Sequence, residues 1–103
     1  MNIIRIDTSD NLVTRIVLEV NEKTHKLEEK RRTPGDQNVL ELIEAVLADQ
    51  KIQLTDIQAI EIVTGPGSFT GLKVGSAIAN ALSFGIPVSV NGRQIGEIVE
   101  PTY

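Results

Sequence analysis

The sequence predicts a single α/β lobe built in the order βββαβαβ, a mixed sheet with two main helices. Three observations predict it: strand-like runs fill the first third, an amphipathic helix leads to an apolar run of buried-strand type, and a glycine-rich loop opens a second helix. At 103 residues the chain suits one compact domain on a prior of roughly 100 to 200 residues, with no room for a second core.

The first element is the run 2–7, where Ile3, Ile4 and Ile6 make a nearly continuous β-branched stretch expected of a central strand covered on both faces. Ser9-Asp10-Asn11 turns the chain. Over 12–20, Leu12, Thr14, Ile16, Leu18 and Val20 share one face while Arg15 and Glu19 share the other, the alternation of a half-exposed hairpin strand. After Asn21-Glu22-Lys23, the run 24–32 holds only Leu27 as a large apolar residue among Glu28, Glu29, Lys30, Arg31 and Arg32, which is how a charged, solvated edge strand reads.

Thr33-Pro34-Gly35-Asp36 breaks that strand, with Asp36 as the expected N-cap of a helix over 37–50. In this helix Val39, Leu40, Leu42, Ile43, Val46 and Leu47 spread over about 160° of arc, wider than the roughly 100° that one sheet contact needs, so one flank is expected to face something else. Leu54-Thr55-Asp56 turns into 57–63, read as a buried parallel strand reached by a helical crossover. A second helix over 71–84 follows the glycine loop, and Gly85-Ile86-Pro87 leads to a last strand over 88–90. The tail 91–103 is too short and mixed to assign. An order of three antiparallel strands and then alternating helix and strand is, by analogy of fold alone, that of an RNase H-like or actin-like ATPase lobe.

Composition narrows the function. Hydrophobic residues at 41% and charged residues at 23% exclude disorder and fibrous repeats. Only Phe69, Phe84 and Tyr103 are aromatic, so the core is expected to be aliphatic and thin, with about 60 to 65% of the unfolded surface buried. Fourteen acidic against ten basic side chains, a formal charge of -4, argue against an autonomous nucleic-acid binder, because phosphate neutralisation needs clustered cations. The absence of cysteine excludes disulfides, thiolate zinc sites and cysteine nucleophiles, and the single His25 excludes Ser-His and multi-His designs. No basic segment followed by an apolar run opens the chain and nowhere are there 18 consecutive apolar residues, so a soluble cytoplasmic protein without a membrane partner is expected.

Three segments carry candidate chemistry. In Gly65-Pro66-Gly67-Ser68-Phe69-Thr70-Gly71 the glycines permit close backbone approach ahead of a helix N-terminus, where a phosphate is one reading and a tight strand-to-helix turn capped by Ser68 or Thr70 is the other. Walker spacing around Lys73 is missing. In the second helix Gly71, Gly75, Ala79 and Ser83 recur every fourth residue, with Ser76 beside them and Leu72 flanking. Val74, Ile78, Ala81 and Leu82 are expected to meet the sheet, which leaves the small stripe for close helix approach, either to the first helix or to another molecule. Asp7 and Thr8 end the first strand, where folds of this order keep a metal- or phosphate-directed carboxylate; turn capping is the competing reading of Asp7. Two-metal nuclease chemistry needs several converging carboxylates, and only Glu41 or Glu44 stands within reach, so no metal site is expected.

Ile6-Asp7-Thr8-Ser9 after a short apolar strand, the string from Gly65 through Leu72-Lys73-Val74-Gly75, and Gly85-Ile86-Pro87-Val88 closing the helix together resemble the TsaB (YeaZ) family over about 2–90. The resemblance implies an RNase H-like, actin-superfamily lobe over 1–90 that is not itself the catalyst. It implies a scaffold and activator of TsaD in the complex, completed by the ATPase TsaE, that forms threonylcarbamoyladenosine on tRNA. ATP and magnesium are then used by the complex and not by the isolated chain, and tRNA is met only indirectly. It also implies docking on TsaD, or a homodimer when alone, through the two helices. The interface candidates are Leu40, Ile43, Leu47, Leu72, Gly75, Ser76, Ala79 and Ser83. Family members have a second lobe; here 91–103 passes almost directly to Glu100-Pro101-Thr102-Tyr103, which resembles the family's C-terminus, so a minimal one-lobe form without the second lobe is expected. Gly35-Asp36-Gln37-Asn38 also lacks the His-Ser pair common in the family. The alternatives are a small nucleotide-binding protein or phosphotransfer enzyme using the loop 65–71, and a degenerate paralogue that forms only homodimers.

Overall fold

The computed structural model describes residues 1–30 and 38–102. The expected break at 33–36, the cap at Asp36, the helix start at Gln37, the edge residues Arg31 and Arg32, and Tyr103 lie outside the described residues. The elements follow the expected order: β1 (Ile3–Asp7), β2 (Val13–Val20), β3 (Lys23–Lys30), α1 (Val39–Asp49), a 3-10 turn (Leu54–Asp56), β4 (Ala59–Ile62), α2 (Phe69–Gly85) and β5 (Ser89–Val90).

The strands form one five-stranded sheet in the order β3-β2-β1-β4-β5. β1 to β3 are antiparallel neighbours, with Ile6 opposite Ile16 and Ile16 opposite Leu27. β4 and β5 join in parallel, with Ile4 beside Ile60 and Ile60 beside Val90. The β2–β3 hairpin closes through Asn21 and Glu22 at φ 51° and 67°, the two positive φ angles whose twist matches that of paired strands. Asp10 Oδ1 accepts hydrogen bonds from the amides of Leu12 (2.9 Å) and Val13 (3.0 Å), which sets the entry into β2.

Both helices pack on one face of the sheet. Ile4, Ile6, Ile16, Leu18, Ile60 and Val90 form its inner surface, and Val39, Leu42, Ile43, Val46 and Leu47 of α1 bury against it in the same cluster. β1 is central, but only Ile4 and Ile6 lie under the helices, while Ile3, Arg5 and Asp7 are half-buried on the opposite, helix-free face. The expectation of a strand covered on both faces fails because both crossovers run in the same direction along the sheet, and right-handed crossovers of that kind place their helices on one side. At the start of α1 the fully buried Thr14 donates its hydroxyl to Asn38 Oδ1 at 2.7 Å, tying β2 to the N-cap residue. Among the described residues no helix is long and apolar enough to cross a membrane.

Candidate partner surface and glycine loop

The glycine loop turns out to be folded against the chain itself. Ser68 caps α2 by accepting the Gly71 amide at 3.2 Å, and its own amide donates to the Ser9 carbonyl at 2.7 Å. A Cβ on Gly67 would lie 2.7 Å from both Cβ and the carbonyl oxygen of Ser9, so the loop presses directly on the turn after β1. Two turns further, a Cβ on Gly75 would collide with the Thr8 hydroxyl, and Thr8 is only 1% exposed. Asp7 Oδ1 accepts from the amide of Ser9 (2.9 Å) and its hydroxyl (2.5 Å), the turn-capping reading of this residue. The Gly65-Pro66 bond is cis, and beyond it Thr102 donates its amide to the Thr64 carbonyl at 2.7 Å.

These contacts test whether the loop suits a nucleotide phosphate. Gly67 and Gly75 spend their close approach on Ser9 and Thr8, and Thr8 and the Asp7 carboxylate are committed to the same packing. The residues present do not fit a phosphate seated between this loop and β1. Among the described residues no three His, Cys, Asp or Glu side chains gather as a metal-binding group.

The small stripe of α2 faces inward. Gly71, Leu72, Gly75, Ser76, Ala79 and Ser83 are the buried residues of the helix. Val74, Ile78 and Leu82, expected on the sheet, are half-buried on a flank, and Ala81 is exposed. The physical reason is separation: small residues let the helix axis approach the sheet closely enough for Gly75 to rest on Thr8. The two buried hydroxyls carry no cost in that position, because Ser76 and Ser83 donate to carbonyls three residues earlier, Lys73 at 3.2 Å and Asn80 at 2.7 Å. Of the interface candidates, Leu72, Gly75, Ser76, Ala79 and Ser83 are therefore internal contacts of this lobe and not its outer surface.

The outer surface is built from other residues. Lys73, Ala77, Ala81 and Phe84 are exposed at helical spacing along α2, with Phe84 72% exposed. Lys73 Nζ sits 5.6 Å from the centre of the exposed Phe69 ring. On α1, Leu40 is 39% exposed, and Ile43 and Leu47, although buried, line a groove of about 400 Å³ with Glu44, Ala48, Ile52, Leu54 and Leu82 of α2. Three of the eight interface candidates, Leu40, Ile43 and Leu47, thus meet in one groove between the helices. Ala77 and Ala81, not singled out from the sequence as outer residues, are two small exposed residues four apart on the face of α2 opposite the buried stripe.

The helix-free face differs in kind. Arg5 bridges Glu61 at 2.6 Å and Glu19 at 3.1 Å, Arg15 bonds Glu28 at 2.9 Å and lies 4.0 Å from Asp7, and Lys26 reaches Glu28 at 2.7 Å. The hydrogen bond to Glu61 raises the Arg5 pKa above its usual value; burial partly opposes the rise and the bond to Glu19 adds to it. Lys26 first, and Arg15 second, hold Glu28 below the usual carboxylate range. A shallow depression of about 660 Å³ lies here, but the charges that line it are spent on one another.

Two polar clamps were also invisible in sequence. Asn91, at φ 53°, accepts from the Ile62 amide at 2.7 Å and donates to its carbonyl at 3.2 Å, so a side-chain amide prolongs the ladder beyond β5. Asn80 of α2 does the same for the tail, donating to the Val99 carbonyl at 2.8 Å and accepting its amide at 3.0 Å, which seats Val99 in the core at 2% exposure.

A family model described as TsaD: tRNA N6-adenosine threonylcarbamoyltransferase matches residues 35–92, more than half of the chain. A curated relative from Haemophilus influenzae, the "tRNA threonylcarbamoyladenosine biosynthesis protein TsaB", is 36% identical over 90 residues, which cover 87% of this chain and 38% of that protein. The protein of the same name from Escherichia coli is 38% identical over 56 residues, 54% of this chain and 24% of that one. The match with the first relative thus spans less than half of that protein's length. Among solved structures, YeaZ from Pseudomonas aeruginosa superposes with a TM-score of 0.76 at 24% identity, covering 87% of this chain and 44% of that one, a likeness of fold.

Proposed function

The chain belongs to the family that the TsaD model describes, with its curated relatives there named TsaB, and from that premise we propose that it serves the biosynthesis of threonylcarbamoyladenosine on tRNA as a non-catalytic partner subunit. In this reading it docks α1 and α2 on the catalytic TsaD subunit as a heterodimer and holds it active. TsaE joins the larger complex, which uses ATP and magnesium, and tRNA is bound by the assembly and not by this chain. The setting is the cytoplasm, and alone the chain pairs with a second copy on the same surface.

The observation that carries the proposal is the division of labour between the two sides of α2. Its glycine and serine stripe is consumed inside the lobe, while Ala77, Ala81 and Phe84 stand in solvent on its outer side and Leu82 joins Leu40, Ile43 and Leu47 of α1 in an apolar groove. Small exposed residues along a helix admit a second helix at close range, and an apolar groove supplies area for it to bury. The glycine loop packed on Ser9, with Gly75 of α2 packed on Thr8, supports the non-catalytic part of the reading. The test is mass determination by light scattering on this chain mixed with TsaD from the same organism, for wild type and for Ala81→Arg with Phe84→Asp. Wild type is expected to form a heterodimer and the double variant to lose at least about tenfold in affinity with an unchanged melting curve, since both side chains are exposed. A double variant that binds as wild type does would move the interface elsewhere, and a wild-type chain that ignores TsaD would end the partner reading.

A further inference from the structure

The two sides of the sheet treat their acids differently, and that difference bears on what the helices bind. On the helix-free face Glu19, Glu28 and Glu61 each form a close ion pair, and Asp7 lies 4.0 Å from Arg15. On α1, whose sequence VLELIEAVLAD holds no basic residue, Glu41 and Glu44 have no ion-pair partner among the described residues. Glu44 lines the apolar groove and Glu41 stands one turn before it on the exposed ridge. They are like charges three residues apart, an arrangement slightly unfavourable to an isolated helix.

We propose that the groove between α1 and α2 takes a partner helix with an apolar ridge and a basic flank, whose lysines or arginines meet Glu44 and Glu41. This inference rests on the docking reading above and names the chemistry of its partner. An apolar floor supplies contact area, and an unpaired acidic wall supplies orientation and choice of partner, because complementary charge favours the right helix while like charge penalises the wrong one. A second copy of this chain is the less suitable occupant: a two-fold contact through the groove turns the acidic α1 ridge of each copy toward the same shared surface.

The experiment is a titration of this chain with TsaD from the same organism at about 50 and about 500 mM NaCl, for wild type, Glu41→Lys with Glu44→Lys, and Glu41→Gln with Glu44→Gln. Wild type is expected to bind about tenfold more weakly at high salt, since the wall charges are solvent-accessible before docking. The lysine pair should weaken binding about tenfold at low salt and reverse the salt dependence, because screening then relieves repulsion, while the glutamine pair should bind about threefold more weakly and lose most of the salt dependence. Wild-type binding that is indifferent to salt and to both pairs overturns the basic partner while leaving the docking surface standing. No wild-type binding at all overturns the docking reading and this inference with it. All four substitutions are at exposed or groove-rim positions, and matching melting curves separate a binding effect from a folding one.

Discussion

On one face of the sheet Ile4, Ile6, Ile16 and Leu18 vanish under two helices, whereas on the other Arg5, Arg15 and Lys26 lie in a web of ion pairs with water at hand. The same strands build both faces, because alternate residues point opposite ways. The covered face is held by volume and is therefore intolerant of added atoms. The open face is held by screened charge, tolerates substitution and answers to pH. This contrast explains why the small stripe of α2 belongs to the fold while Ala77 and Ala81 stay in solvent.

The largest expected effect is on the covered face. Gly75→Leu would drive a side chain into Thr8 and β1, and denaturant unfolding should record a loss of about 2 to 3 kcal/mol. Stability equal to wild type would mean that α2 is not seated on β1 through this stripe. A smaller effect is expected from Arg5→Met on the open face, within about 1 kcal/mol by the same measurement, because its pairs are partly solvated. A loss as large as that of Gly75→Leu would break the contrast between the faces.

The smallest effect concerns acid. Lys26 and Arg15 depress the folded-state pKa of Glu28, so its contribution to stability is present above the unfolded value of about 4.3 and is lost as pH falls through the lower folded value. Comparing acid unfolding of wild type and Glu28→Gln should show the two curves converging only at the acid end of that window. Convergence already at neutral pH would remove Glu28 from the account.

Much of this was legible in the sequence. Alternation in 12–20 placed Thr14, Ile16 and Leu18 inside, and the breadth of the apolar arc of α1 anticipated a flank turned away from the sheet, where Leu40 is exposed. Side chain period decides such things locally. The orientation of α2 was not legible, because its small stripe and its aliphatic stripe are adjacent and each could be the inner one. Choosing between them requires knowing how close β1 comes, and Thr8 supplies that distance from 67 residues away in sequence. The clamps by Asn80 and Asn91 share this character: each is a polar side chain whose partner is a backbone group far along the chain.

Element order, strand alternation, a helix cap at Ser68 or Thr70 and the family resemblance of the glycine loop were determined by the sequence alone, since each depends on residues within a turn or two of one another. Only the tertiary structure decided which face of α2 is buried, that Gly67 of the loop and Gly75 of α2 serve contact with Ser9 and Thr8, and that Glu19, Glu28 and Glu61 are ion-paired while Glu41 and Glu44 have no ion pair among the described residues. Those outcomes are set by distances between elements, and such distances come from packing the whole core at once.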